Sequence, residues 1–134
     1  MDFSKLDVQS ASENAFEFEI LHPVTGEGTG AYISVFGSKS EPSRKAVLAF
    51  EQKYKKMELE NSRRRKPIEV SDEDNWMDGF NLLFPRVAGW RNLNWEGKPL
   101  EFNRENAIKL FKACDFIPAQ IQEQSGDLGN FLKA

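Results

Sequence analysis

Phe16-Glu17-Phe18-Glu19-Ile20 alternates apolar and acidic residues, the period-two pattern of a half-buried strand. His22-Pro23-Val24-Thr25-Gly26 follows as a turn, because proline fixes its own φ and glycine supplies a positive one. Ala31-Tyr32-Ile33-Ser34-Val35-Phe36 is rich in strand-forming residues and stops at Gly37. Together these predict a β-hairpin over residues 15–37 with Phe16, Phe18, Ile20, Ile33 and Val35 on one face. Residues 1–14, where Phe3, Leu6 and Val8 sit among polar side chains, are expected to form a polar arm that docks by a few apolar contacts.

The period then changes. Pro42 suits a first helical turn and Ser40 is placed to accept from its free N–H groups. Val47, Phe50, Tyr54 and Met57 form an apolar stripe on a helix expected to fade near Asn61, ahead of Pro67. Ser71-Asp72-Glu73-Asp74 resembles a capping box with acids at the positive end of the next helix. Trp76, Phe80, Leu83, Phe84, Val87 and Trp90 recur at helical spacing, interrupted by Pro85, so a kink or a break into two short helices is expected.

The stretch from Val87 to Phe111 reads as a structural joint, with a compact turn at Trp95-Glu96-Gly97-Lys98-Pro99-Leu100 and a new helix capped by Asn103. Ile117, Ile121, Leu128 and Phe131 suggest a last helix starting near Pro118 and interrupted at Gly126 or Gly129. The fold class expected is α+β, an N-terminal β-hairpin followed by four to five mostly amphipathic helices over residues 41–134, within a single domain covering 1–134.

Hydrophobic residues make up 40% of the chain and eleven are Phe, enough to support a core in 134 residues. Net charge is −3, which gives no global attraction to nucleic acid or anionic lipid. Locally the balance swings. Residues 44–66 hold nine Lys or Arg against three Glu, and residues 67–79 hold five acids and no base, so the two segments are expected to pair within the fold. The lone Cys114 allows no intrachain disulfide. The amino-terminal residues lack a signal-peptide pattern, and no segment approaches the roughly 18 apolar residues of a membrane span. A cytoplasmic protein without a membrane role is expected.

Candidate chemistry is sparse. One His and one Cys far apart do not suggest a metal site, and no cofactor is expected. His22 fits a turn-stabilising role, Cys114 a small hydrophobe at the end of a helix face, and Gly26-Glu27-Gly28-Thr29-Gly30 lacks the Lys-Ser/Thr pair of a phosphate loop. No enzymatic constellation emerges. Two surfaces carry a choice of readings. Arg63, Arg64, Arg65 and Lys66, with the bases upstream, are either a phosphate-contacting patch or a solvated helix end, and the solvated end is favoured because no aromatic alternates with the bases. Phe50, Tyr54, Trp76, Phe80 and Phe84 are candidate partner-binding residues, with core packing as the default for the Trp76-to-Trp90 stripe.

The order of the motifs carries more than any one of them. Lys5-Leu6-Asp7, the Glu-rich strand, His22-Pro23-Val24-Thr25-Gly26-Glu27, a charged helix, Val87-Ala88-Gly89-Trp90, Trp95-Glu96-Gly97-Lys98-Pro99 and Glu105-Asn106-Ala107 follow one another over most of the chain. In this it resembles the tail assembly chaperone family of long-tailed (siphovirus-type) bacteriophages, departing from that pattern at Arg63 to Lys66 and at Pro85. The resemblance implies a non-enzymatic protein of the bacterial host cytoplasm. It would bind the long helical tape measure protein, assist tail tube assembly and be absent from the mature virion. It also implies contact with the tail tube protein through a frameshifted longer product, and self-association along the tape measure is a further expectation. The alternatives are a helix-binding adaptor of another system and a small nucleic-acid-binding protein using residues 44–66.

Overall fold

The computed structural model describes residues 1–132 and combines helix with sheet: a strand hairpin early in the chain and five α-helices. Strands β1 (Phe16–Leu21) and β2 (Gly28–Val35) form the expected antiparallel hairpin, with Phe18 opposite Ile33 and Phe16 opposite Val35. Phe18, Ile20, Ile33 and Val35 are buried and Phe16 packs at their margin. His22 holds the intervening turn, its Nδ1 accepting from the N–H groups of Val24 and Thr25 at 3.1 and 3.2 Å.

The largest departure from the sequence reading lies at Pro85. Helix α3 (Asp72–Leu83) does not kink and continue; Phe84–Arg86 form a single 3-10 turn, and Val87–Arg91 become strand β3. This strand pairs antiparallel with β2, placing Trp90 opposite Ile33 and completing a three-stranded sheet in the order β1-β2-β3. The physical reason is local and tertiary together. Proline removes a donor and blocks the preceding helical turn, while the open edge of β2 offers a ladder that begins where Phe36 N–H donates to the Arg86 carbonyl at 2.7 Å.

The compact turn is likewise a small hairpin of β4 (Asn94–Trp95) and β5 (Lys98–Pro99). Its two central residues, Glu96 and Gly97, have φ of 50° and 78°, the conformation that matches strand twist in a two-residue hairpin.

The amino-terminal arm is more ordered than its composition suggests. A 3-10 turn (Phe3–Leu6) leads into the short helix α1 (Val8–Ser12), yet Phe3 and Leu6 stay exposed and the docking is polar. Gly37 N–H donates to the Ser12 carbonyl, and a Cβ at Gly37 would lie 2.6 Å from the Ser12 Cβ, so only glycine allows that approach. Glu13 reaches the first N–H of helix α2 (Glu41–Ser62), its Oε1 accepting from Glu41 at 2.6 Å. Ser40 occupies the cap position without capping; its buried Oγ has no hydrogen-bond partner. A carboxylate at the positive helix end replaces the hydroxyl.

Ser71 and Asn103 cap as expected, accepting from Asp74 N–H at 3.1 Å and Asn106 N–H at 2.8 Å. Helix α4 (Arg104–Ala113) buries Ala107, Leu110 and Phe111. Helix α5 (Phe116–Gly126) buries Ile117 and Ile121 against the hairpin, followed by a 3-10 turn at Leu128–Asn130. Gln120 pins α5 to the sheet edge: its amide donates to the Leu21 carbonyl and accepts from Leu21 N–H, both at 2.9 Å.

On the outer sheet face, Arg91 makes a bidentate bridge to Glu17 at 2.7 and 3.0 Å while its guanidinium lies 4.0 Å from the Tyr32 ring centroid. The hydrogen bonds from Arg91 hold the Glu17 carboxyl below its ordinary range. A lowered folded-state pKa contributes stability above the unfolded value, and that contribution fades as pH falls through the folded one. Parent protein taken from about pH 6 to about pH 3 should therefore lose more stability than Glu17→Gln, read by urea titration across that range.

Candidate functional site

Helix α2, the longest of the described helices, lies outside the core. It runs 22 residues, about 33 Å at 1.5 Å per residue, and contributes none of the buried hydrophobic cluster; its single buried residue is Ser43. It lies against α3 and the Phe84–Arg86 turn. Leu48 and Leu59 are 54% and 55% exposed, Val47 is exposed, and Phe50, Tyr54 and Met57 are half-buried. Phe50 and Tyr54 rest on each other, with ring centroids 4.5 Å apart. A helix this rich in bases cannot bury its whole circumference, since long cationic side chains keep their heads in water.

Between α2 and α3 runs a groove of about 420 Å³, walled by Pro42, Ala46, Ala49, Phe50, Leu82 and Pro85. Lys53 closes it, donating to Asp78 Oδ1 at 2.6 Å, and that bond raises the lysine above its ordinary pKa. The Asp78 side chain is only 9% exposed, so one link between the basic and acidic segments is a largely shielded one. The second acid of that segment to find a base is Glu73, which pairs with Lys112 of α4.

Arg63, Arg64, Arg65 and Lys66 take no part in such pairing. They sit at and just beyond the carboxyl end of α2, exposed, and among the described residues none has an ion-pair partner. Their position complements the negative end of the α2 dipole, whereas the expected pairing with the acids after Pro67 is absent for these four.

The aromatic residues proposed from sequence divide. Trp76 and Phe80 of α3 and Phe84 of the 3-10 turn that follows stack in succession, centroids 5.4 and 5.0 Å apart and nearly parallel. Phe80 is 4% exposed and also meets Phe111 at 5.6 Å; as a partner-contacting residue it is corrected to a core residue. Trp76 and Phe84 are half-buried and packed against the same core, with Lys112 over the Trp76 ring at 5.0 Å and Phe102 beside Phe84. Phe50 and Tyr54 alone of the five lie outside the core and its margin.

A second cavity of about 390 Å³ opens on the adjoining side of α3. Trp76, Phe80, Leu83, Phe111 and Pro118 form its apolar wall, and Arg86 lines it with the amide side chains Asn75 and Gln122. Arg86 was not singled out from sequence, although a lone base directly after Pro85 in an apolar run is a visible signal. Cys114 caps the end of α4, half-buried, its thiol pushed up by burial and then by Asp115. Among the described residues no group of three or more His, Cys, Asp or Glu is placed to hold a metal, and no helix is long and apolar enough to cross a membrane. Comparison of the chain with protein-family models, with curated proteins and with solved structures found no match.

Proposed function

We propose that this chain is a non-enzymatic assembly chaperone of the bacteriophage tail type, which covers apolar stripes of a long helical tape measure protein in the host cytoplasm until the tail tube forms. The order of motifs from Lys5 to Phe131 supports the family reading. The observation that carries it is the exclusion of α2 from the core. An amphipathic helix with Phe50, Tyr54, Val47 and Leu48 on offer, lying beside an apolar groove, suits a helix-in-groove contact. Tail tube contact and self-association along the tape measure belong to the same reading.

Coexpression with the tape measure protein of the same genome is the test. The two should co-purify, and the tape measure protein should gain solubility. The double variant Phe50→Ala/Tyr54→Ala should weaken that association about tenfold or more while changing unfolding free energy by only about 1 kcal/mol. Absence of co-purification, or a double variant that binds as well as the parent, sinks the proposal. Solubilisation of unrelated amphipathic helices to the same extent would favour a general helix-binding adaptor instead.

A further inference from the structure

The cavity beside α3 holds a charge that the fold does not answer. Arg86 is half-buried, its Nε is sealed from solvent without a hydrogen-bond partner, and among the described residues no carboxylate pairs with it. Burial alone moves its pKa, and it moves it down, in contrast to Arg91, which Glu17 moves up. A partly desolvated guanidinium without a counter-ion is costly, and the cost is relieved by a ligand that brings the missing charge.

We infer that the Arg86 cavity is a binding site for a carboxylate carried on an apolar or aromatic body. The guanidinium presents a planar fork that matches a carboxylate with two parallel hydrogen bonds. Trp76, Phe80, Leu83 and Phe111 supply the apolar wall, and about 390 Å³ lies in the range of small-ligand sites. One cation flanked only by the amides of Asn75 and Gln122 answers a single negative charge, so a monoanionic carboxylate suits it better than a phosphate dianion. The carboxylate can belong to a small free acid or to a Glu side chain set among apolar residues of a peptide. The inference is independent of the chaperone reading. It concerns the neighbouring side of α3 from the groove with α2, and the two share only Leu82 among their lining residues.

The test compares 4-phenylbutyrate with 4-phenylbutyramide, followed by the Trp76 indole N–H signal in titrations monitored by NMR. The acid should bind saturably and at least about tenfold more tightly than the amide. Arg86→Gln should abolish that preference, and Arg86→Lys, which keeps the charge without the fork, should retain only part of it. Arg86→Gln should melt no lower than the parent, because it removes an unpaired charge, whereas a merely structural arginine would leave a destabilised chain when replaced. A second arm uses the acetylated, amidated peptide Leu-Leu-Glu-Leu-Leu against its Gln counterpart. Tighter binding of the Glu peptide than of 4-phenylbutyrate assigns the site to an acidic side chain, and the reverse assigns it to a small acid. Equal binding of acid and amide in the parent, an unchanged preference in Arg86→Gln, or no binding of either carboxylate at millimolar concentration overturns the inference. The acid-to-amide comparison is made on the parent, so it decides the question even where a variant fails to fold.

Discussion

Phe80→Ala is expected to lower the unfolding free energy by about 3 to 5 kcal/mol, a large part of the roughly 5 to 15 kcal/mol that holds a domain of this size together. The ring sits at the crossing point of the molecule. It stacks between Trp76 and Phe84, meets Phe111 of α4 at 5.6 Å, and has the Arg104 guanidinium 5.1 Å from its centroid. Truncation to Ala empties a volume bounded by helix on two sides. Trp76 and Phe84 are partly exposed and can shift, but Phe111, 1% exposed, has little freedom to follow. Urea unfolding checks the value. A loss below about 1 kcal/mol would mean that the stack is not structural. The contrast with Phe50→Ala/Tyr54→Ala is informative, because both sites were candidates for one surface and their variants should separate stability from binding.

Trp90→Ala should cost about 3 to 4 kcal/mol, for a different set of reasons. Its indole N–H donates to the Leu100 carbonyl at 2.7 Å, and its ring meets Phe102 edge to face at 4.8 Å. Strand β3 and the segment leading from the β4-β5 hairpin into α4 are thus held by one side chain. Trp90→Phe keeps most of the apolar area but leaves the Leu100 carbonyl short of its donor, so it should cost about 1 to 2 kcal/mol. Protein that loses equal stability in both variants would show that the hydrogen bond, and not the packing, dominates. Amide hydrogen exchange should also quicken across β3 in Trp90→Ala, since its pairing with β2 depends on that anchor.

Several local elements were legible from one short-range rule, although the same capping rule failed at Ser40. The hairpin over Phe16 to Val35 follows from strict alternation, and the caps at Ser71 and Asn103 follow from side chains able to accept from N–H groups three residues on. The helix over Glu41–Ser62 follows from its start at Pro42 and from the loss of periodicity before Pro67. The third strand was not legible. Val87, Ala88, Gly89 and Trp90 carry no alternation of their own, and their spacing from Phe80 and Leu83 mimics a helix. They become a strand because β2 has a free edge at the place where Pro85 ends the helix.

The candidate sites divide along the same line. An apolar stripe with Phe50 and Tyr54 could be read from helical spacing, but spacing does not tell an inward stripe from an outward one. Phe80 and Phe50 have the same chemistry and lie on helices that adjoin; Phe80 meets Phe111 of α4 inside the core cluster, whereas Phe50 lies outside that cluster, on a helix that touches only α3 and the Phe84–Arg86 turn to any extent among the described residues. Arg86 has no distinguishing pattern beyond its place after Pro85. Its isolation from any acid exists only once Trp76, Phe111 and Pro118 close around it.

Short-range rules along the chain were enough to set the hairpin and its inward face, the caps at Ser71 and Asn103, and the start of α2 at Pro42. Each depends on neighbours within a few positions along the chain, where backbone geometry dictates the outcome. Tertiary structure alone decided that Val87 to Arg91 joins the sheet, that α2 stays outside the core, that Glu13 rather than Ser40 caps it, and that Arg86 is left without a counter-charge. Those outcomes depend on which surfaces remain open after distant segments have packed, and that is a property of the assembled chain.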